Sequence, residues 1–432
     1  MRITEWHKLS AAEQRALLAR PAQLNAAAVA QAAHAIVEQV RREGDTALQE
    51  LTRRFDGEAP GSLAVSESEA AAAEATLTAE QHAAIDQAIQ TVHHFHAAQM
   101  PVPIRIETAP GVTCERIQVP IGAVGLYVPA GAAPLPSTAI MLGVPAAIAG
   151  CPVRILCTAP MRDGHAHPSV IVAARRAGIR QIFKVGGAQA IAAMAYGTQS
   201  VPKCDKLFGP GNAYVTAAKM LVSRDPEGAA ADLPAGPSEV MVIADQSASF
   251  RFVAADLLAQ AEHSPDAQAL LVSTCRELAV AVAAEVERQA QRLTRRSILA
   301  ESLQSLRLIV VADTAQAFEI ANRYAPEHLL LEIRDARSWL PSVACAGAVF
   351  LGHWSPESLG DYCSGPNHTL PTYGYARAYS GLSLEDFQKR ITVQEASQQG
   401  LRGLGPTARV LAELEGLDAH AAAVNLRLEA LV

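Results

Sequence analysis

The spacing of apolar positions changes along the chain. In the first hundred residues, apolar side chains recur at three- and four-residue steps, as in Ile85, Ala88, Ile89, Val92 and Phe95, which is typical of one face of an amphipathic helix. From Ala123 onward, short continuous apolar runs appear, beginning with AVGLYV. After about Ser383 the pattern again favours helices. Helical segments are therefore expected at both ends of a central region of mixed structure.

The central region alternates predicted strands with predicted helices in two successive series. The first series has strands at 123–128, 153–158, 182–185 and 206–208, with helices at 137–148 (Ser137 as N-cap), 169–177, 188–196 and 213–223. The second has strands at 239–244, 270–273, 308–312, 329–333 and 348–351. Its helices are expected at 252–261, from after the strand at 270–273 to about 293, and at 315–323. This alternation predicts parallel sheets built from βαβ units. We expect an α/β fold of two tandem, incomplete, doubly wound Rossmann-like domains.

Composition and charge exclude several classes of protein. Half of the residues are hydrophobic and the net charge is −7, which excludes a disordered chain and a general nucleic-acid binder. No uninterrupted apolar run is long enough for a membrane span, and the N-terminus lacks a signal-peptide pattern. The seven cysteines are scattered without CxxC spacing, which favours reduced thiols. We therefore expect a cytoplasmic protein with neither a nucleic-acid nor a membrane partner.

Two glycine-rich loops follow predicted strands of the first series. They are VGGAQ (185–189) and FGPGN (208–212). Paired glycines allow a ligand to approach the backbone closely, and the N-terminus of the following helix favours an anion. Neither loop matches GxGxxG, so each alone is also compatible with a tight turn.

Nitrogen and oxygen ligand types gather in the second series. Gln260 and His263 share a helix face, Glu327 and His328 lie between a helix and a strand, and a long polar loop carries Asp361 and His368. His420 follows in the C-terminal part. Of these, His263, Asp361, His368 and His420 suit zinc or a similar divalent metal, although their spacing is not local, and Glu327 with His328 is a possible acid–base pair.

Another histidine group gives a different prediction. His93, His94 and His96 have no carboxylate or cysteine at ligand spacing. We expect them on a solvated helix rather than at a metal.

Taken together, long motifs over essentially the full chain resemble those of the histidinol dehydrogenase family. The matching stretches are VGLYVPAG (124–131), VGGAQAIAA (185–193), DKLFGPGNAYVT (205–216), LPAGPSEVMVIAD (233–245), LLAQAEHSPDAQ (257–268), YAPEHL (324–329), SPESLGDYCSGPNHTLPTYGYAR (355–377) and SGLSLEDFQKR (380–390). So many motifs in one order are highly specific.

The resemblance implies a set of site residues and cofactors. One zinc ion per subunit would be held by Gln260, His263, Asp361 and His420. The acid–base pair would be Glu327 and His328, and the NAD contacts Tyr127, Gln189 and Asn212. The implied contacts to L-histidinol are Ser238, Gln260, His263, His328, Asp361, His368, Glu415 and His420.

The resemblance also implies an intertwined homodimer, in which Glu415 and His420 enter the neighbouring subunit's site. The expected first domain covers residues 24–106 and 127–236. The expected second domain covers 1–23, 107–126 and 237–380, and a helical dimerisation region covers 381–432.

The implied reaction is the NAD-dependent oxidation of L-histidinol to L-histidine through L-histidinaldehyde, at the end of histidine biosynthesis. His328 is our candidate base and Glu327 the candidate for activating water, although their division between the steps stays open. Two alternatives remain: a related zinc and NAD dehydrogenase for another alcohol, and a zinc-dependent hydrolase. The EGLDAH segment carrying Glu415 and His420 argues against the first, and the glycine loops would have no task in the second.

Overall fold

The computed structural model describes residues 1–20, 26–57, 59–130, 133–234 and 236–431. Gly131 and Ala235, which belong to two of the motifs above, lie outside these residues. Among the described helices, none is both long and apolar enough to span a membrane. All seven cysteines carry free thiols.

The N-terminal region is helical, as its apolar spacing predicts. A short strand, Ile3–Glu5 (β1), comes first. The helices are Ala11–Leu18 (α1), Ala26–Glu43 (α2), Asp45–Phe55 (α3), Glu67–Thr76 (α4) and Ala79–Ala97 (α5). Two strands, Ile104–Ala109 (β2) and Val112–Pro120 (β3), end the region.

Helix α5 corrects two details of the prediction. Ile85 and Val92 are buried, but Phe95 is 45% exposed, so the apolar face is narrower than its spacing indicates. His93 and His94 are exposed, whereas His96 is fully buried. Its Nδ1 lies 2.8 Å from the carbonyl oxygen of Val92. The expectation of a solvated His96 is wrong, because the helix's own backbone satisfies this ring nitrogen.

The first predicted series forms a five-stranded parallel sheet. Its strands are Ala123–Val128 (β4), Val153–Thr158 (β5), Gln181–Lys184 (β6), Lys206–Phe208 (β7) and Ala230–Ala231 (β8), in the order β6-β5-β4-β7-β8. Its helices are Pro136–Ile148 (α6), Pro168–Arg176 (α7), Gly187–Tyr196 (α8) and Ala213–Val222 (α9). Ser137 is not the N-cap of α6, because Pro136 already occupies the first turn and Leu135 caps it. The fixed φ of proline favours that first position.

The second predicted series forms a six-stranded parallel sheet. Its strands are β1 together with Glu239–Ala244 (β9), Gln268–Ser273 (β10), Arg307–Val310 (β11), His328–Glu332 (β12) and Ala348–Leu351 (β13), in the order β1-β11-β10-β9-β12-β13. Its helices are Phe250–Ala261 (α10), Arg276–Ala290 (α11), Arg296–Ser302 (α12), Thr314–Tyr324 (α13) and Glu357–Tyr362 (α14). The two parallel sheets confirm a mixed α/β fold.

The C-terminal region contains a strand that the sequence pattern did not reveal. Gln388–Ala396 (β14) pairs antiparallel with β3, which pairs with β2, to form a three-stranded sheet. Helices Gln398–Leu414 (α15) and Asp418–Glu429 (α16) follow. The expectation of helices alone after Ser383 is therefore wrong. Strand β14 is mostly exposed, so burial does not impose an apolar run on its sequence.

Short 3-10 turns and one ring contact complete the architecture. The 3-10 segments are Trp6–Lys8, Leu303–Ser305, Ala336–Ser342, Tyr375–Arg377 and Leu384–Phe387. Phe387 stacks on Phe208, with ring centroids 4.1 Å apart. This contact fixes the start of β14 to the core of the first parallel sheet.

Candidate functional site

The candidate acid–base pair lies at the amino-terminal edge of the six-stranded sheet. Helix α13 ends at Tyr324, and Ala325 follows in the left-handed conformation with φ of 55°. This residue turns the chain through Pro326 into Glu327 and then into His328, the first residue of β12. Both Glu327 and His328 are buried. A sharp helix ending thus delivers two adjacent titratable side chains to one place.

The peptide of Glu239 holds both members of this pair. Its N–H donates to Glu327 Oε2 at 2.7 Å, and its carbonyl oxygen lies 3.1 Å from His328 Nδ1. The two side chains are near each other, with 3.7 Å between Glu327 Oε2 and His328 Nδ1. The second ring nitrogen, Nε2, points toward Asp361 Oδ1 at 3.5 Å. The carbonyl contact favours a proton on Nδ1 and leaves Nε2 as the ring nitrogen that faces the site.

Ligand-type side chains from α14 and from the segment that follows α10 meet beside the pair. His263 follows α10, and Glu357 and Asp361 stand one turn apart on α14. One ligand atom from each of these three residues lies within 4.8 Å of the other two. Oxygen and imidazole nitrogen donors at this separation fit a zinc ion or a similar divalent cation.

Gln260 is oriented by two acceptors. Its amide nitrogen donates to Glu357 Oε1 at 3.0 Å and to the carbonyl oxygen of Glu239 at 3.2 Å. The amide oxygen then points away from these groups. Two buried atoms of the same cluster, His328 Nε2 and Glu357 Oε2, have no hydrogen-bond partner among the described residues. Such atoms are costly to bury, and a bound cation or substrate would relieve that cost.

Burial and like charge shift the protonation of this cluster. Burial raises the pKa of Glu327 to about 8 and also raises that of Glu357. Burial lowers the pKa of His328, but the carboxylates of Glu357, Glu327 and Asp361 outweigh it and raise this pKa to about 10. The imidazolium is thus the positive charge that balances several carboxylates. A cation on Asp361 would remove part of that balance and lower the pKa of His328.

His368 and Ser238 border the cluster. His368 Nδ1 lies 2.8 Å from the carbonyl oxygen of Asp361, and its Nε2 lies 3.2 Å from Thr138 Oγ1 on α6. The loop that carries His368 therefore bridges the two parallel sheets. Ser238 is half-buried and directly precedes Glu239 at the start of β9.

The three residues expected at NAD lie at the carboxyl-terminal edge of the other parallel sheet. Tyr127 is near the end of β4, and its hydroxyl accepts from the N–H of Gly187 at 3.0 Å. Gln189 is buried in the first turn of α8. Asn212 caps α9, its Oδ1 accepting from the N–H groups of Tyr214 and Val215 at 3.0 and 3.1 Å. Ligands of open α/β sheets bind at this edge.

Lys219 and Asp232 fix the FGPGN loop at that edge. Asp232 Oδ2 accepts from the N–H of Gly209 at 2.8 Å. Lys219 Nζ donates to the carbonyl oxygen of Gly209 at 2.6 Å and to Asp232 Oδ1. A cavity of about 340 Å³ opens beside the loop, lined in part by Gly211 and Tyr375. The backbone of Gly209 in this loop is therefore fixed by a buried ion pair.

Two of the expected site residues lie elsewhere in the single chain. Glu415 is the C-cap residue of α15, His420 lies in the first turn of α16, and both are exposed. Within the described part of the chain, neither side chain forms a hydrogen bond or ion pair, and His420 does not belong to the group of possible metal ligands. The structure brings Gln260, His263, Glu327, His328, Asp361 and His368 together and leaves Glu415 and His420 apart.

Sequence reasoning missed Glu239 and Glu357. A sequence signal existed for Glu357, because its spacing of four from Asp361 places both on one helix face. None existed for Glu239, whose peptide group rather than its side chain contacts the pair.

Comparisons with known proteins agree along the whole chain. A family model described as histidinol dehydrogenase matches residues 19–428. A histidinol dehydrogenase of Xanthomonas axonopodis pv. citri is 56% identical over 429 residues, 99% of each chain. One of Vibrio vulnificus is 51% identical, covering 100% of this chain and 99% of its own. The crystal structure of histidinol dehydrogenase from Elizabethkingia anophelis has a TM-score of 0.94 at 43% identity, covering 100% of this chain and 98% of that one. The chain belongs to the histidinol dehydrogenase family.

Proposed function

We propose that this protein oxidises L-histidinol to L-histidine through L-histidinaldehyde with NAD, in the last steps of histidine biosynthesis. The observation that carries the proposal is the buried Glu327–His328 pair, held on the Glu239 peptide beside the N/O donors of His263 and Asp361. Family membership makes a dehydrogenase the favoured use of this pair, above the alternatives of another alcohol or a hydrolase.

The reaction needs two hydride transfers and one water. In the first, the alcohol carbon gives a hydride to NAD and its hydroxyl loses a proton. Water then adds to the aldehyde, and the hydrate gives a second hydride to a second NAD to form the carboxylate. Overall, L-histidinol, two NAD and one water yield L-histidine, two NADH and three protons.

Glu327 and His328 are the groups we assign to the proton transfers. Nε2 of His328 faces the site and can accept the hydroxyl proton once its pKa falls toward the ordinary histidine range. The Glu327 carboxylate, with a pKa raised to about 8 by burial, can take a proton from water during hydrate formation. Their division between the two steps stays open, because both side chains contact the same peptide.

Zinc, one ion per subunit, fits the donor set. Gln260, His263 and Asp361 would hold it together with the partner's His420. When bound it would position the imidazole and amino nitrogens of the substrate and contribute positive charge. Ser238, His368 and the partner's Glu415 complete the proposed substrate contacts.

The NAD site would use Tyr127, Gln189 and Asn212 at the edge of the first sheet. The fixed glycine loops allow a close approach of the pyrophosphate, and the start of α9 favours its charge. The hydroxyl of Tyr127 would act as a neutral hydrogen-bonding group, because burial raises its pKa to about 12.

A homodimer would complete the site, since Glu415 and His420 are apart from it in one chain. Exposed apolar side chains support this proposal: Ile106 on β2 is 57% exposed and Leu414 on α15 is 78% exposed, while Ile117 of β3 and Ile391 of β14 are register partners that are both exposed. Exposed apolar patches mark interfaces.

The proposed domains keep the bounds expected from the sequence, which are 24–106 with 127–236, 1–23 with 107–126 and 237–380, and 381–432. The cytoplasmic location likewise stays a prediction.

The direct test supplies L-histidinol and NAD to the purified protein and follows NADH. We expect NADH formation that a chelator abolishes and added zinc restores. An amino alcohol without the imidazole is the matched control substrate and should react poorly. Zinc-loaded protein that forms no NADH from L-histidinol would contradict the proposal.

A further inference from the structure

A buried ion pair, Arg20–Glu239, lies directly behind the acid–base pair. We propose that this ion pair is a positioning device that fixes Glu327, His328 and Gln260, and so sets the rate of the oxidation. This inference rests on the proposed function. Neither residue faces the reacting atoms, so both would act through the groups they hold.

The backbone of Glu239 is the common contact point of three site residues. Its N–H donates to Glu327 Oε2 at 2.7 Å. Its carbonyl oxygen lies 3.1 Å from His328 Nδ1 and accepts from the Gln260 amide at 3.2 Å. A small rotation of this one residue would move the candidate base, its carboxylate neighbour and a candidate metal ligand together.

Arg20 restrains that rotation through the Glu239 side chain. Its Nε donates to Glu239 Oε1, and its Nη2 donates to Oε2 at 2.8 Å. The pair is almost fully enclosed, with side chains 10% and 0% exposed. Two parallel hydrogen bonds between a planar guanidinium and a carboxylate fix orientation as well as distance.

The same guanidinium also holds the chain segment that leads into Glu327 and His328. Nη2 of Arg20 donates to the carbonyl oxygens of Tyr324 at 3.0 Å and Ala325 at 3.3 Å, and the guanidinium carbon lies 3.9 Å above the Tyr324 ring. Ala325 is the left-handed residue two positions before Glu327. Arg20 therefore joins β9 to the turn before β12, the two backbone segments that set the geometry of the site.

A buried ion pair is weak evidence for stability, because desolvation offsets much of the attraction. Its geometric role is therefore the stronger explanation here. Catalysis is sensitive to such geometry, since a misplacement of about 1 Å can lower a rate about a hundredfold.

The test compares Arg20→Met with Arg20→Lys and with a matched control, Arg154→Met. Arg154 also binds backbone carbonyls, those of Cys151 and Gly178, but near the start of β5, away from the proposed sites. We expect Arg20→Met to lower kcat roughly a hundredfold while KM for NAD stays unchanged. Arg20→Lys keeps the positive charge without the two parallel hydrogen bonds, and its kcat should fall less. Added guanidinium should also restore part of the rate of a further variant, Arg20→Ala.

The outcomes separate a positioning role from a structural one. A kcat within twofold of wild type in zinc-loaded Arg20→Met would overturn the proposal, as would equal losses of kcat in Arg20→Met and Arg154→Met. If Arg20→Met does not fold, Arg20→Lys takes its place, and an unchanged kcat in Arg20→Lys would also overturn the proposal.

A second measurement does not depend on activity. In a crystal structure of Arg20→Lys, the contacts from the Glu239 peptide to Glu327 and His328 should lengthen, whereas unchanged contacts would overturn the proposal. Wild-type protein that fails to oxidise L-histidinol would contradict the proposed function alone, and the crystallographic comparison would still decide the role of Arg20.

Discussion

A few buried side chains control protonation at the site, and two of them, Glu327 and His328, contact the peptide group of Glu239. His328 is enclosed by three carboxylates, and its pKa is raised to about 10 by them despite burial. In this state the ring keeps its proton and is a poor base. A cation bound by Asp361 and His263 would lower the pKa of His328 and so favour loss of that proton. Metal binding and the function of His328 as a base would then depend on each other.

Replacing His328 by Gln should slow turnover without removing the metal. The amide cannot carry a proton between substrate and solvent, so kcat should fall about 10² to 10⁴-fold, the range of general acid–base catalysis. Metal analysis of the same sample should give an unchanged zinc content. His353→Gln is the matched control, a half-buried histidine beside Glu332 at the opposite edge of the same sheet. Zinc loss in proportion to activity would identify His328 as a ligand instead.

Glu357 should raise the affinity for zinc by orienting the amide of Gln260. Glu357→Leu removes the acceptor that orients the Gln260 amide, and loss of such a supporting contact lowers metal affinity about 10 to 100-fold. Glu357→Gln keeps an acceptor oxygen and should lose much less, as measured by competition with a chelator.

Glu262→Gln, next to His263, is the control and should keep wild-type affinity. Equal losses of affinity in the Leu and Gln variants of Glu357 would show that the carboxylate itself binds the metal.

Among the elements, buried parallel strands were predictable and exposed ones were not. The bounds of β4, β5 and β9 agree with the predicted 123–128, 153–158 and 239–244, because strands covered on both faces need continuous apolar runs. Strands β2 and β14 lie at the surface of the single chain, so no such run marks them.

Helix α10 should give the protein a measurable pH dependence of stability. Burial, together with Glu332, raises the pKa of Asp256 to about 7 from 3.8. The folded protein keeps this proton where the unfolded chain loses it, so the free energy of unfolding falls as pH rises from about 4 to 7. Three pKa units correspond to at most about 4 kcal/mol.

Asp256→Asn removes that titration and should raise Tm relative to wild type, with a difference that grows between about pH 4 and 7. Calorimetry at several pH values measures it. Glu301→Gln, an exposed carboxylate on α12, is the control and should show a constant offset. A constant difference for Asp256→Asn would contradict the assigned pKa.

At the scale of the whole molecule, the site draws on distant parts of the chain. The sequence offered four candidate ligands and a candidate acid–base pair, and the structure brings five of these six residues together, with His368 beside them. Their convergence could not be worked out from spacing, because β9, α10, β12 and α14 meet only through the sheet order. Glu239 acts through its peptide, which no side-chain pattern reveals.

The proposed sharing of His420 predicts complementation between inactive subunits. Mixing a His420→Ala subunit with a Glu327→Ala subunit should form heterodimers in which one of the two sites has both residues intact. Refolding the mixture and measuring NADH formation should recover part of the activity, up to about a quarter of wild type if subunits pair at random and each site acts alone. His420→Ala refolded alone is the control, and no recovery in the mixture would contradict the shared site.

The central claim is that one site carries out both oxidations of L-histidinol. Its most direct test is the ratio of NADH to L-histidine formed by the zinc-loaded protein at limiting substrate. Two NADH per histidine, with no free aldehyde accumulating, is the predicted result. One NADH per L-histidinol consumed, with the aldehyde as the final product, would contradict the account.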